Sequence, residues 1–371
     1  MKKYPCVYMR GGTSKAVFFH KKDLPADRAQ WPELFMKVMG TPDVKQIDGM
    51  GGTVSSTSKV AVISPSAKPD ADVDYDFFQV GIGAPQVDDA SNCGNISSAV
   101  GPFAIDEGLV PAREPETVVR VFNTNTKKLI EERVLVKGGR AMTEGDAAIS
   151  GVPGTGSPIR MLFHNPGGSK TGRLFPTGRR SETVDIPGRG RAEVTVIDCA
   201  NPVVFVEAQT LGLSGNELTE LNANRAVMEH IEAIRGAVAV KLGFVASPEE
   251  AAASSAAIPK IVFISASQSY TDVGANLVSA EETDFCCRAI SLGSVHKAYP
   301  MTVAVATAAA ARLKGTVVNR VAGLSETSGP VRIGHASGTL EAELELDGER
   351  VVSCALIRTA RRIMDGFVYA R

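Results

Sequence analysis

Two short polar runs carry the side chains that could do chemistry. In "VDDASNCGNISSAVGPFAI" the thiol of Cys93 is flanked by Asn92, Gly94 and Asn95, and a nearly uncharged stretch follows to Ile105. A thiol at the entry of a helix meets unpaired backbone N–H groups and the positive end of the helix dipole, which favour a thiolate and also bind carboxylates. Gly94 lets a ligand approach the backbone closely, and the two asparagines add amide donors. The plainer alternative is a small buried cysteine with Asn95 as a cap. In "QIDGMGGTVSSTSKVAVIS" the glycines Gly49, Gly51 and Gly52 form a turn. A hydroxyl cluster ending in Ser58 follows, and Lys59 opens a strand. A polar loop with a solvated lysine explains that run equally well. Arg10 in "MRGGTSK", beside glycines and the hydroxyls of Thr13 and Ser14, could clamp a carboxylate through its planar fork, or simply mark a turn. Asn201 in "CANP" is a strand-end turn residue or a ligand contact.

The elements that position these residues follow from periodicity. "PCVYMR" and "AVFFH" flank "GGTS" as strand, turn and strand, with Arg10 at the bend. "KVAVIS" and "VDYDFFQVGI" are further strands, and "TVVRVFN" and "KKLIEERVLV" form a hairpin around "TNT". Gly94–Ile105, apolar almost all round, predicts a helix buried on every side. Glycine and proline crowd Ser150–Gly178, which marks a loop or domain junction. Strands resume at "AEVTVIDC", "PVVFVEA" and "KIVFIS". "RAVMEHIEAIRGAVAVKLG" and "SAEETDFCCRAISLG" read as helical. A second uncharged helix is predicted over Met301–Leu313, and "LEAELELD" and "VVSCALIRTARRIM" end the chain in strands. The pattern describes two similar halves, each with one apolar helix wrapped by strands, and a ligand cleft is expected between them.

Composition excludes several classes. The chain has 371 residues, 44% hydrophobic and 22% charged, with a formal net charge of −1. That balance suits a globular, soluble protein and argues against a nucleic-acid or membrane-surface partner. No apolar run reaches the roughly 18 residues of a spanning helix. "MKKYPCVYMRGG" lacks the apolar core of a secretory signal. Six scattered cysteines fit a reduced, cytoplasmic protein. The five histidines lie far apart, with no Cys-x-x-Cys or His-Glu-x-x-His, so no metal is expected. Without a Gly-x-Gly-x-x-Gly or Walker pattern, no nucleotide cofactor is expected either.

Taken together, "YMRGGTSKAVFF", "IDGMGG…SSTSKVAVIS", "DADVDYDFFQV", "SNCGNISSAVGPFAIDEGLV", "GVPGTG", "IDCANPVVFVEA" and "ALIRTARRIMDGFVYAR" closely resemble the family of 2-methylaconitate cis–trans isomerase. That family includes 3-methylitaconate Δ-isomerase, 4-oxalomesaconate tautomerase and aconitate Δ-isomerase. The matches run in order from residue 4 to residue 371. The resemblance implies an α+β, diaminopimelate-epimerase-like fold of two pseudo-symmetric halves, residues 1–180 and 181–360, with the last strand near 360–371 returning to the first half. It implies Lys59 and Cys93 as the acid–base pair. Two-cysteine epimerases place a second thiol at the second helix entry. Here that region reads "HKAYPMTVAVA", with Pro300 and Met301 at the position, which fits an isomerase using lysine plus cysteine.

The implied reaction moves a proton between allylic carbons of an unsaturated di- or tricarboxylate, without metal or cofactor. Donors that bind the conjugated carboxylate would stabilise the dienolate more than the ground state. The candidates are Arg10, Thr13, Ser14, Ser58, Asn92, Gly94, Asn95, Asn201, Tyr299, Met301 and Thr302, with Tyr299 and Met301 shaping the pocket. For Lys59 to act as a base, burial or a neighbouring cation should lower its pKa. The segments "TPDVKQIDG" and "NTNT" resemble regions of the methylaconitate and methylitaconate members, and that resemblance implies a methyl-bearing substrate rather than oxalomesaconate or aconitate. A homodimer or higher homo-oligomer is compatible with this reading. Two competing readings are a non-catalytic carboxylate-binding accessory protein, which would not need Lys59, and a cysteine hydrolase, which would recruit His296.

Overall fold

The computed structural model describes residues 2–90, 92–291, 293–325 and 329–370. They fall into two compact units. The first runs to Leu162 and takes back the chain from Ile357 onward, and the second is Phe163–Leu356.

In the first unit Lys2–Gly11 pairs antiparallel with Ser14–His20, closing the tight turn at Gly11↔Ser14. Ser14–His20 runs parallel to Lys59–Pro65, which pairs antiparallel with Val73–Val80. Val73–Val80 runs parallel to Glu116–Asn123, which closes an antiparallel hairpin with Lys128–Lys137. The final strand, Ala360–Ala370, lies antiparallel along Lys2–Gly11; Arg371 of the expected "GFVYAR" strand lies outside the described residues. Both faces of this sheet are covered. Val17 and Phe19 join Trp31, Phe35 and Val38 of the helix Trp31–Met39 in one cluster. Phe18 points the other way, with its ring centroid 5.4 Å from that of Phe103 in the central helical segment. Covering on both sides explains why Ser14–His20 and Lys59–Pro65 are apolar runs without polar alternation.

The central segment Gly94–Ile105 is buried throughout, but it is not one helix. Gly94–Ser97 forms a single turn, and Val100–Asp106 forms a second piece. The break has a local cause. Gly101 N–H donates to Glu132 Oε2 at 2.9 Å instead of continuing the helical ladder, and Pro102 next to it has no N–H. Two consecutive helical hydrogen bonds are therefore missing. Glu132 comes from the strand Lys128–Lys137 and is fully buried.

The second unit repeats the order of pairings. Gly190–Asp198 is antiparallel to Pro202–Glu207, which is parallel to Lys260–Ala266. Lys260–Ala266 is antiparallel to Phe285–Ser291, which is parallel to Val331–His335. Val331–His335 is antiparallel to Gly338–Asp347. The helix Met301–Arg312 is buried at every residue and packs against four of these strands, while Arg225–Lys241 covers the opposite face as Trp31–Met39 does in the first unit. The internal repeat is thus the same strand–helix succession used twice.

Two further sequence expectations are corrected. "SAEETDFCCRAISLG" is not helical: a short capped turn, Ala280–Glu282, leads into the strand Phe285–Ser291, of which Phe285–Ile290 is buried. A strand enclosed on both faces loses its period of two, and periodicity alone does not separate it from a buried helix. The division of the chain also lies at Leu162/Phe163 rather than near residue 180. The reason is Asp198, whose carboxylate accepts from Ser169 Oγ and from the N–H groups of Lys170 and Thr171, tying this glycine-rich loop to the second unit. Among the described residues no helix is long and apolar enough to cross a membrane.

Candidate active site

Lys59 is the first residue of its strand and is buried. The pairing register sets it directly opposite Gln79 on Val73–Val80. Its Nζ donates to Gln79 Oε1 and lies 5.1 Å from the centroid of the Phe77 ring. The amide of Gln79 is oriented by its own contacts: Nε2 donates to the carbonyls of Ser55 and Ser58 at 3.1 and 2.9 Å, which leaves Oε1 to face the lysine. The glycine turn is fastened to the same place through buried Gln46. Its Nε2 donates to Ser58 Oγ at 2.8 Å, and its Oε1 accepts from Thr53 N–H at 3.0 Å. A Cβ on Gly51 would collide with the Gln46 side chain at 2.2 Å, so the close approach requires glycine there.

Burial pushes the Lys59 ammonium below its ordinary pKa, and the Cys93 thiolate is the charge that acts in the opposite direction. The neighbours that solvate this lysine are thus an amide oxygen and an aromatic face, with a thiol as its electrostatic partner. The solvated-lysine alternative fails on burial.

Cys93 is half-buried and precedes the turn Gly94–Ser97. Its carbonyl accepts from Ser97 N–H at 2.9 Å, from Ser97 Oγ at 3.1 Å and weakly from the Tyr75 hydroxyl at 3.5 Å. Asn92 Oδ1 accepts from Asn123 Nδ2 at 3.2 Å and lies 3.3 Å from Ser97 Oγ. Because Gly94–Ser97 is one turn, few peptide dipoles align behind the thiol, and the helix-dipole argument for Cys93 loses most of its force. The electrostatic partner of the thiol is instead Lys59, whose pKa its charge raises.

Tyr75, Phe77 and Gln79 were not singled out from the sequence, yet they build the site floor. They alternate along one strand and so project from the same face: Tyr75 under Cys93, Phe77 under Lys59, Gln79 on its Nζ. The available signal was the polar Gln79 at the end of an otherwise apolar alternate row.

Other expected residues have varied places. Arg10 Nη1 donates to the carbonyls of Gly12 and Thr359 and to Thr359 Oγ1, so this nitrogen fastens the last strand rather than standing free as a clamp. Ser14 is buried, and Thr13 Oγ1 is buried with no hydrogen-bond partner among the described residues. Asn95 is buried against the hairpin turn, where a Cβ on Gly12, at φ +48°, would meet Asn95 Oδ1 at 2.2 Å. In the second unit Asn201 is buried and its Nδ2 has no partner among the described residues. Tyr299 is buried, with its hydroxyl 2.7 Å from Thr307 Oγ1 and its ring stacked on His335. Met301 and Thr302 are buried in the first turn of their helix. His296 Nδ1 is held by the backbone of Ala298. Among the described residues no three His, Cys, Asp or Glu side chains group as metal ligands.

A family model described as "PrpF protein" matches residues 1–371. The 3-methylitaconate isomerase of Eubacterium barkeri is 43% identical over 98% of this chain and 96% of its own length. The 2-methyl-aconitate isomerase of Shewanella oneidensis is 40% identical over 99% of this chain and 96% of its own. A crystal structure of methylitaconate Δ-isomerase superposes with a TM-score of 0.85 at 42% identity, covering 100% of this chain and 96% of that one. A hydroxyproline epimerase from Agrobacterium vitis, at 11% identity and a TM-score of 0.59 over 99% of this chain and 92% of its own, shares the fold alone. The α+β, diaminopimelate-epimerase-like class expected from the sequence is the class observed.

Proposed function

Because this chain belongs to the PrpF protein family, we propose that it is an isomerase that transfers a proton between allylic carbons of an unsaturated di- or tricarboxylate, with Lys59 and Cys93 as the acid–base pair. The observation that carries this reading is the setting of Lys59. A lysine is a base only when neutral, and burial favours that form, while the Gln79 amide oxygen and the Phe77 ring fix where its nitrogen sits.

In one direction neutral Lys59 removes a proton from the allylic carbon and becomes an ammonium. The electron pair spreads through the shifted double bond into the conjugated carboxylate, giving a dienolate. The Cys93 thiol delivers its proton to the other terminal carbon of the allylic system and becomes a thiolate. Ammonium and thiolate then stabilise one another until a proton passes from Lys59 to Cys93 and restores the starting pair. The reverse reaction exchanges the two roles. Every proton and electron pair is accounted for by substrate and side chains. The substrate is a methyl-bearing acid, 2-methylaconitate or 3-methylitaconate, in line with the names of the two relatives.

The test is incubation in D₂O with 2-methylaconitate, 3-methylitaconate, oxalomesaconate and aconitate, followed by NMR of each carbon. Deuterium should enter at the allylic carbons of a methyl-bearing acid as the isomer forms. Absence of exchange with all four acids would overturn the reading; preference for a non-methylated acid would overturn the substrate.

A further inference from the structure

The buried arginines of this chain differ in how their charge is compensated. Arg288 donates to the carbonyls of Glu217, Cys287 and Asn216, and Arg312 to those of Ser325 and Gly329. Arg235 is paired with Glu232. Arg358 has one backbone carbonyl, one amide oxygen and no carboxylate among the described residues. It is 6% exposed, its Nη1 donates to the adjoining Ile357 carbonyl, and its Nε reaches Asn95 Oδ1 at 3.3 Å. Nη2 has no partner among the described residues. Burial is the sole resolved influence on its pKa, pushing it down to about 10, and no carboxylate opposes that. A buried cation without an anion is costly, and folded proteins ordinarily pair it.

The surroundings of Arg358 belong to the site. Asn95, its partner, lies two residues after Cys93. The hairpin turn presses on the same asparagine, with Gly11 and Gly12 so close that a Cβ on either would collide with it. The next residue along that turn, Thr13, has its buried hydroxyl unpartnered. Among the described residues, a cation with one nitrogen free and a buried hydroxyl without a partner thus flank one asparagine.

We propose that Arg358 binds a carboxylate of the substrate, with Thr13 and Asn95 as accompanying donors, and so selects acids that carry a carboxylate beyond the reacting allylic unit. This rests on the reaction proposed above. The missing anion of the buried guanidinium is then the ligand itself, and the planar fork suits a carboxylate better than an ammonium would.

The experiment pairs deletion of the residue with deletion of the ligand group. Binding of propane-1,2,3-tricarboxylate, glutarate and succinate is measured by calorimetry for the wild type, Arg358→Met and Arg358→Lys. Glutarate lacks the central carboxylate and succinate lacks one terminal arm. Arg358→Met should weaken the tricarboxylate by on the order of 10-fold or more, the scale of a lost charge-assisted pair. One dicarboxylate, the one lacking the group that Arg358 holds, should bind wild type and variant within about 2-fold. Arg358→Lys, which keeps the charge and loses the fork, should fall between them and serves alone if the methionine variant does not fold. Equal weakening of all three ligands, or of none, overturns the proposal. The D₂O assay on the wild type separates the two readings: exchange without Arg358-dependent selectivity sinks this inference alone, and selectivity without exchange sinks the reaction.

Discussion

In the proposed reaction Lys59 and Cys93 are unequal partners, and their variants should behave unequally. Lys59→Met should lower turnover by on the order of 10²-fold or more, the usual scale for a general acid–base group. Cys93→Ser retains a small hydroxyl but a much poorer acid, so it should slow deuterium wash-in at one carbon more than at the other. NMR at each carbon, with a thermal melt to show that both variants fold, checks this; a folded, fully active Lys59→Met would refute the mechanism. The pH dependence has a definite sign. Burial lowers the Lys59 pKa from its ordinary 10.5 while Cys93 raises it. The base limb of kcat/KM should therefore rise below the ordinary lysine range, and in Cys93→Ser it should move to still lower pH. The same shift affects stability. Between the lowered folded pKa and the unfolded one, the unfolded chain holds an extra proton, so wild-type stability rises with pH through that window. Lys59→Met should lack that slope in denaturant melts taken across it.

At the scale of elements, the broken central helix depends on Glu132. Its carboxyl is fully buried and held well above the usual carboxylate range by burial, with Gly101 N–H acting against the rise. A raised carboxyl pKa makes the folded state hold a proton that the unfolded chain loses above about 4.5, so this group's contribution weakens as pH rises from there toward the folded pKa. Glu132→Gln keeps an acceptor for Gly101 and removes the titration. It should match the wild type near pH 4 and exceed it by on the order of 1 kcal/mol or more at pH 8. Urea melts at the two values decide the matter, and an equal loss at both would show that the protonated acid has no such role.

At the scale of the molecule, the unit that carries Lys59 and Cys93 is assembled from both ends of the chain. Ala360–Ala370 pairs along the whole of Lys2–Gly11, from Lys2↔Ala370 to Gly11↔Ala360, and Arg10 reaches the Thr359 carbonyl just before it. Val368 and Ala370 belong to the cluster that also holds Phe19 and Trp31. Removing residues 360–371 should expose an inner strand and its apolar face and leave the first unit unfolded, with all exchange activity lost. Loss of the protected amides of Ser14–His20 and Lys59–Pro65 in hydrogen exchange would register this. A truncated chain that keeps their protection would show the last strand to be dispensable.

The sequence by itself determined the family, the two alike halves, most strands and the two uncharged helical segments, because burial on all sides writes itself as a lack of charge. Its resemblance to the family also put forward Lys59 and Cys93 as the proposed acid–base pair. It did not separate the enclosed strand Phe285–Ser291 from a helix, since covering both faces erases the alternation that distinguishes the two. Nor did it show the break at Gly101, which depends on a carboxyl 31 residues further along the chain. Gln79 became legible only through strand register, which places it opposite Lys59, and Arg358 only through packing, which puts it against Asn95 from the far end of the chain. Periodicity reports how much of a residue is buried, whereas register and packing across long sequence separations decide which buried groups meet.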